Sequence, residues 1–271
     1  MKPPLTYYGG KQTLAPLILS LIPEHTLYAE PFTGGGAVFF MKKPSRVEVL
    51  NDTNGELMNF YKVLRDKFPH LQKEARSTLH NRNAFRQAEV IYNNPDLFDE
   101  VKRAWAVWVM CSQSFSAKLD GPWSYDTPNN TTSKRLANKR EQFTARYAAR
   151  MKQVQLEHAD ALYIIQSRDT EGSFFYCDPP YFNSNMGHYK GYTETDYERL
   201  LGMLSGIKGK FLLSSYPSTL LDKYSQKNKW HSRTLEMHVT VNAKSGILKK
   251  KTEMLTANYP LVEIERSTKG S

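Results

Sequence analysis

A chain of 271 residues with 40% hydrophobic and 24% charged side chains can bury a substantial core and excludes a disordered or mini-protein class. Thirty-seven basic against 27 acidic residues leave a formal charge of +10, which points to a polyanionic partner such as nucleic acid. Two cysteines, Cys111 and Cys177, exclude a disulfide framework or a Cys-rich zinc site. No apolar run approaches the ~20 residues of a membrane span, and Met1-Lys2-Pro3-Pro4 opens no apolar leader, so a cytoplasmic protein with no membrane partner is expected.

In chain order, Leu27-Tyr28-Ala29 reads as a strand, Gly34-Gly35-Gly36 as a turn, Val38 to Met41 as a helix and Val47 to Leu50 as a strand, which together make a βαβ unit. From Glu56 to about Lys152 the spacing turns helical, with Leu57, Phe60, Leu64 and Phe68 on one face and Leu97, Val101, Ala104 and Trp108 on another. Trp105 and Trp108 are expected in the core of those helices. Between Cys111 and Thr132 the pattern fails at Asp120-Gly121-Pro122 and Pro128-Asn129-Asn130, a loop or β-hairpin. Strands return at Gln155 to Glu157, Ser173 to Cys177 and Phe211 to Ser215, the latter two apolar enough for buried parallel strands. Thr234 to Val241 and Thr252 to Asn258 lie close enough to pair as an antiparallel ribbon at the sheet edge. The expected architecture is an α/β domain, residues 1–55 and 153–271, interrupted by a mostly helical insertion at 56–152.

Glu30-Pro31-Phe32-Thr33-Gly34-Gly35-Gly36 follows a strand and opens a helix, where bare backbone lets a nucleotide-like ligand approach; a tight strand-to-helix turn is the plain alternative. Neither a dinucleotide fingerprint nor a P-loop fits, since Phe39, Leu5 and Gln12 stand where those motifs need other residues. Asn51-Asp52 places a carboxylate where such folds bind ribose hydroxyls, although either residue could instead cap the next helix. Cys177-Asp178-Pro179-Pro180-Tyr181 is more pointed, although a plain turn in which Pro-Pro merely stops the strand is the alternative. Proline donates no hydrogen bond, so the Asp178 carboxylate and the Pro179 carbonyl can both accept hydrogens from one exocyclic amine, and Tyr181 can stack on its base.

These motifs, with Tyr7-Tyr8-Gly9-Gly10-Lys11 ahead of them, resemble the Dam-like (D12 class) adenine-specific DNA methyltransferases, in the same order and over nearly the whole chain. The resemblance implies a Rossmann-like methyltransferase sheet that binds S-adenosyl-L-methionine (AdoMet), with 56–152 as the DNA-recognition domain. It implies that Tyr7, Gly10 and Lys11 line the cofactor pocket, Lys11 near the AdoMet carboxylate, and that Glu30, Phe32, Gly34 and Gly36 form its floor. Tyr7 stands where many relatives have Trp. Asp52 would hold the ribose hydroxyls and Asp160 would lie near the adenine, with Asp169 as the neighbouring alternative; Asp178, Pro179, Pro180 and Tyr181 would be catalytic, Asp178 also touching the cofactor. Ser214-Ser215-Tyr216 resembles the family's next motif, commonly Ser-Asn, from which it departs at Ser215.

On this reading AdoMet supplies its own leaving group, so no metal is needed, and the target adenine must flip out of the duplex. The stretch Asn183 to Tyr192, with Tyr189 assigned to DNA, either orders over the flipped base or is a plain surface loop. In the insertion, the run Lys134 to Lys152 carries Lys134, Arg135, Lys139, Arg140, Arg146, Arg150 and Lys152 against Glu141, which favours phosphate contact. Gln113, Ser116, Lys118, Asn129 and Asn130 are the candidates for base edges in the major groove. The Lys249-Lys250-Lys251 run is expected in a solvated turn. A site-specific enzyme, monomeric, with a cognate restriction endonuclease as a candidate companion, is expected; N4-cytosine or RNA methylation and a non-catalytic AdoMet sensor are the rivals.

Overall fold

The computed structural model describes residues 1–183, 192–239 and 249–262, and only the backbone at 237–239 and 249–251. Its strands are β1 (Leu27–Glu30), β2 (Val47–Asn51), β3 (Gln155–Glu157), β4 (Ser173–Cys177), β5 (Lys210–Ser215), β6 (His231–Val239) and β7 (Lys249–Ala257). In the first unit β3 and β2 are neighbours, and in the second the strand order is β1-β4-β5-β7-β6. Every residue of β4 is buried, as are all of β5 after Lys210. That is why their sequences read as unbroken apolar runs rather than as alternation.

Internal contacts divide the chain into two compact units, Met1–Leu19 with Thr33–Ala159, and Ser20–Phe32 with Asp160–Ser271. The division groups β2 and β3 with the helical segment that follows β2.

In the first unit β2 and β3 run parallel, Asn51 opposite Glu157. The helices are α2 (Ala37–Met41), α3 (Gly55–Asp66), α4 (Phe68–Ser77), α5 (Arg82–Asn93), α6 (Glu100–Gln113), α7 (Thr131–Gln142) and α8 (Arg146–Met151), with α1 (Ala15–Leu21) ahead of them. Asn54 caps α3, its side chain accepting from the Glu56 and Leu57 amides, so neither Asn51 nor Asp52 does so. Asp99 caps α6 in the same way, which is why that helix begins at Glu100 and the residues from Leu97 stand outside it. Trp105 and Trp108 are buried in α6, as core residues should be. In the stretch 114–130 the strand pairing that the described residues show is the antiparallel bridge between Ser114 and Trp123, the neck of a hairpin that the Phe115 amide also closes onto the Pro122 carbonyl.

In the second unit β1, β4 and β5 run parallel, Ala29 opposite Phe175 and Cys177 opposite Leu213. β7 pairs antiparallel with both β5 and β6, giving the expected edge ribbon. The lysine run 249–251 starts β7 rather than a turn. Helices α9 (Ala161–Ser167), α10 (Glu194–Leu204) and α11 (Thr219–Asn228) complete the unit. Thr193 and Asp196 close a reciprocal capping box at the start of α10. Among the described residues no helix is long and apolar enough to cross a membrane.

Candidate active site

In the second unit three parallel strands end at one edge, and each ends in a chemically active residue. β1 closes on Glu30, a buried carboxylate that accepts the Tyr28 hydroxyl at 2.6 Å. β4 runs straight into Asp178-Pro179-Pro180-Tyr181, with Asp178 half-buried. The Tyr181 hydroxyl reaches Asp178 Oδ1 at 3.1 Å and also Oε1 of Glu253, which is fully buried in β7. Tyr216, just past β5, packs edge-on against Tyr181, ring centres 4.5 Å apart. Burial, and then the negative charges of Asp178 and Glu253, push the Tyr181 phenol well above its ordinary value, so it stays a neutral hydrogen-bonding ring. Phe32 meets Tyr192 edge-on at 6.4 Å.

Sequence reading missed Glu253. A glutamate among Thr and Met in β7 gives no periodic signal of its own; only the fold brings it to Tyr181. Asp160 is exposed and caps α9, accepting the Leu162 amide at 2.8 Å. The alternative Asp169 holds a loop instead, its carboxylate accepting the Lys208 and Gly209 amides.

In the first unit the Gly34 and Asn54 amides converge on Asp52, each at 2.9 Å. Burial raises the Asp52 carboxyl above its ordinary value even though both amides favour its charged form. Asn51 clamps Ala159 through both its amide atoms, tying the end of β2 to the segment after β3. Gly34 and Gly36 have φ of +49° and +63°, backbone that side chains resist, so this turn requires glycine whatever else it does. A Cβ on Gly34 would come within 3.3 Å of the Tyr7 ring. Lys11 is buried, its Nζ 3.2 Å from the Gly9 carbonyl, and the Gly10 amide closes a turn onto Tyr7.

The DNA candidates in the first unit separate into two groups. Lys134, Arg135, Asn129 and Asn130 are exposed, and Lys118 lies over the Tyr8 ring at 4.7 Å. Gln113 is different: it is fully buried, its amide bonding the Asn81 amide, the Leu79 carbonyl and the Trp123 indole. An amide satisfied inside the protein reads no base, so Gln113 leaves the list of base readers. Arg140 donates to the Arg76 carbonyl at the end of α4, taking up a helix-terminal acceptor. Lys139 is half-buried beside Ser112, and burial lowers its pKa to about 8. Arg150, part of the same basic run, is buried and paired with Glu48, which also binds Lys42 at 2.6 Å. Burial pushes the Glu48 carboxyl up, but the bonds and charges of Arg150 and Lys42 outweigh it and hold it below the usual range. The basic run is thus part surface and part scaffold. Tyr189 lies outside the described residues.

The family described as D12 class N6 adenine-specific DNA methyltransferase matches residues 7–239, most of the chain. This chain belongs to that family. As a DNA adenine methyltransferase it is similar to the Type II methyltransferase M1.LlaDCHI of Lactococcus lactis subsp. cremoris, 27% identical with 96% of each chain covered. It is also similar to the DNA adenine methylase of Escherichia coli strain K12, 22% identical over 94% of this chain and 95% of that one. The DNA N-6-adenine-methyltransferase of Escherichia phage P1 is 26% identical over 73% of this chain, but that match spans only 27% of the phage protein. Among the described residues no cluster of three His, Cys, Asp or Glu side chains could hold a metal ion.

Proposed function

We propose that this methyltransferase moves the methyl group of AdoMet to the N6 amine of an adenine flipped out of duplex DNA, with Asp178 and the Pro179 carbonyl binding that amine. The observation that carries the reading is the Asp178–Tyr181 pair at the end of the fully buried β4: a half-buried carboxylate beside an aromatic ring held through its hydroxyl.

AdoMet, when bound, supplies an electrophilic sulfonium methyl and its own leaving group. The side chains suit such a zwitterionic nucleoside. Asp52 offers acceptors to ribose hydroxyls, Lys11 a cation to a carboxylate, and Glu30 an anion to an ammonium, while Tyr7 and Phe32 are assigned to the same ligand as apolar rings and Gly10, Gly34 and Gly36 as bare backbone; Asp160 is assigned to the adenine. The exocyclic amine is a poor nucleophile because its lone pair is delocalised into the ring. Hydrogen bonds from N6 to Asp178 and the Pro179 carbonyl favour a tetrahedral nitrogen whose lone pair is free to attack, and positioning then supplies much of the rate. Pro180 keeps the turn rigid, and the Tyr181 ring receives the base at a flipping cost of a few kcal/mol.

Residues 56–152 are assigned to DNA recognition. Lys134 and Arg135 contact phosphate, giving affinity without sequence information, with Lys139 and Arg140 in lesser roles. Lys118, Asn129 and Asn130 are the base-reading candidates, and Tyr189 is assigned to the DNA. A role beside a cognate restriction endonuclease fits the naming of the Lactococcus relative as a Type II methyltransferase; a cytoplasmic monomer is part of the same proposal, on the composition of the chain alone. Asp178→Ala tests the core of the reading: methyl transfer is lost while AdoMet affinity stays within several-fold, and appreciable turnover would remove Asp178 from this role.

A further inference from the structure

Tyr181 faces two carboxylates with one hydrogen to give. Its hydroxyl lies within bonding reach of Asp178 and of Glu253, and a phenol cannot donate to both at once. Glu253 is the more surprising of the two. It is fully buried in β7, one residue before the Met254 that pairs with Ser215 and opposite Leu235 of β6. Sheet pairing alone needs no charge there, and a buried carboxylate is costly unless it is hydrogen-bonded for a purpose.

We propose that Glu253 is a positioning residue for the catalytic tyrosine: its carboxylate takes the Tyr181 hydroxyl when the incoming N6 amine claims Asp178, and so keeps the ring in place under the base. The inference rests on the assignment of Asp178 to the amine. In this structure the hydroxyl is within reach of both carboxylates. Once the amine donates to Asp178, the hydroxyl turns wholly to Glu253, Asp178 keeps its acceptors for N6, and Tyr216 braces the ring 4.5 Å away on its edge. No proton leaves the tyrosine; one hydrogen bond is exchanged for another.

The test is a set of full-length variants assayed for kcat, KM for DNA and AdoMet affinity. Glu253→Leu removes the acceptor and lowers kcat about tenfold or more, as loss of a hydrogen bond to a charged group would, with AdoMet affinity unchanged. Glu253→Gln, which still accepts through its carbonyl, restores most of that loss. In a Tyr181→Phe background Glu253→Leu costs no more than about twofold, because the bond it serves is already gone. Equal losses in both backgrounds, or a Glu253→Leu enzyme with full kcat, would overturn the proposal. If Glu253→Leu does not fold, Tyr181→Phe decides: full kcat overturns it and a loss of about tenfold at unchanged AdoMet affinity supports it. An active Asp178→Ala enzyme would instead strike the underlying assignment, whereas an inactive one with additive Glu253 effects would strike only this inference.

Discussion

The Asp52 carboxylate accepts the backbone N–H of Gly34 at 2.9 Å, so the glycine turn after β1 is fastened to the end of β2 by the same side chain assigned to the cofactor ribose. The second oxygen holds the Asn54 amide, and Asn54 in turn caps α3. One carboxylate therefore organises both the turn and the start of the next helix. Asp52→Ala is expected to weaken AdoMet binding at least tenfold and to cost about 1–3 kcal/mol of stability, since two amides lose a charged acceptor. Calorimetric titration with AdoMet and urea unfolding check the two parts; undiminished affinity would take Asp52 out of the cofactor site.

Surface and scaffold charges of the basic run should part company under mutation. Lys134→Glu with Arg135→Glu leaves folding intact, weakens DNA binding and lowers the slope of log affinity against log salt by about two. Fluorescence anisotropy over a salt series reads it, and an unchanged slope would move the phosphate contact elsewhere.

Arg150→Met does the opposite. It breaks the buried pair with Glu48 and is expected to cost about 3 kcal/mol of stability, while the salt slope of the folded variant stays at the wild-type value. A flattened slope would return Arg150 to the DNA surface.

The same ion group predicts an acid sensitivity with a definite sign. An ordinary glutamate carboxyl titrates near 4.5, and Glu48 in the folded protein lies below that. The unfolded chain therefore takes up the proton first as pH falls. The contribution of Glu48 is present above the unfolded value and disappears as pH drops through the folded one. Urea midpoints of wild type and Glu48→Gln should differ at pH 7 and converge toward low pH; a gap independent of pH would contradict the pairing.

Gln113→Ala should lower stability by about 1–3 kcal/mol, because it strands the Asn81 amide, the Leu79 carbonyl and the Trp123 indole. It should leave the methylated sequence unchanged, whereas Asn129→Ala or Asn130→Ala should relax it. Sequencing of methylated DNA separates the two outcomes.

Much of the fold was legible because the burial physics is one-dimensional. Phe174 to Cys177 and Phe211 to Leu213 are apolar without a break since both faces of their strands are covered, and the 3.6-residue spacing around Leu57 and Phe60 marks α3 directly. The Asp178-Pro179-Pro180-Tyr181 turn announced itself because nothing in packing alone asks for its combination of residues. What sequence concealed was the use of side chains whose partners are distant. Gln113 looks like a groove reader until Asn81, Leu79 and Trp123 close around its amide. Arg150 looks like its neighbours until Glu48, 102 residues away, is brought to it. Glu253 carries no local signal, and its meaning comes from Tyr181, 72 positions earlier. The helix cap shows the same limit on a short scale, because Asn51, Asp52 and Asn54 are all competent caps and only the geometry selects Asn54.

The most direct test of the account is transfer of a labelled methyl group from AdoMet to unmethylated duplex DNA, followed by digestion to nucleosides. The account predicts label in N6-methyl-deoxyadenosine alone, and none with Asp178→Ala. Label in N4-methyl-deoxycytidine, or transfer to RNA but not to duplex DNA, would contradict it.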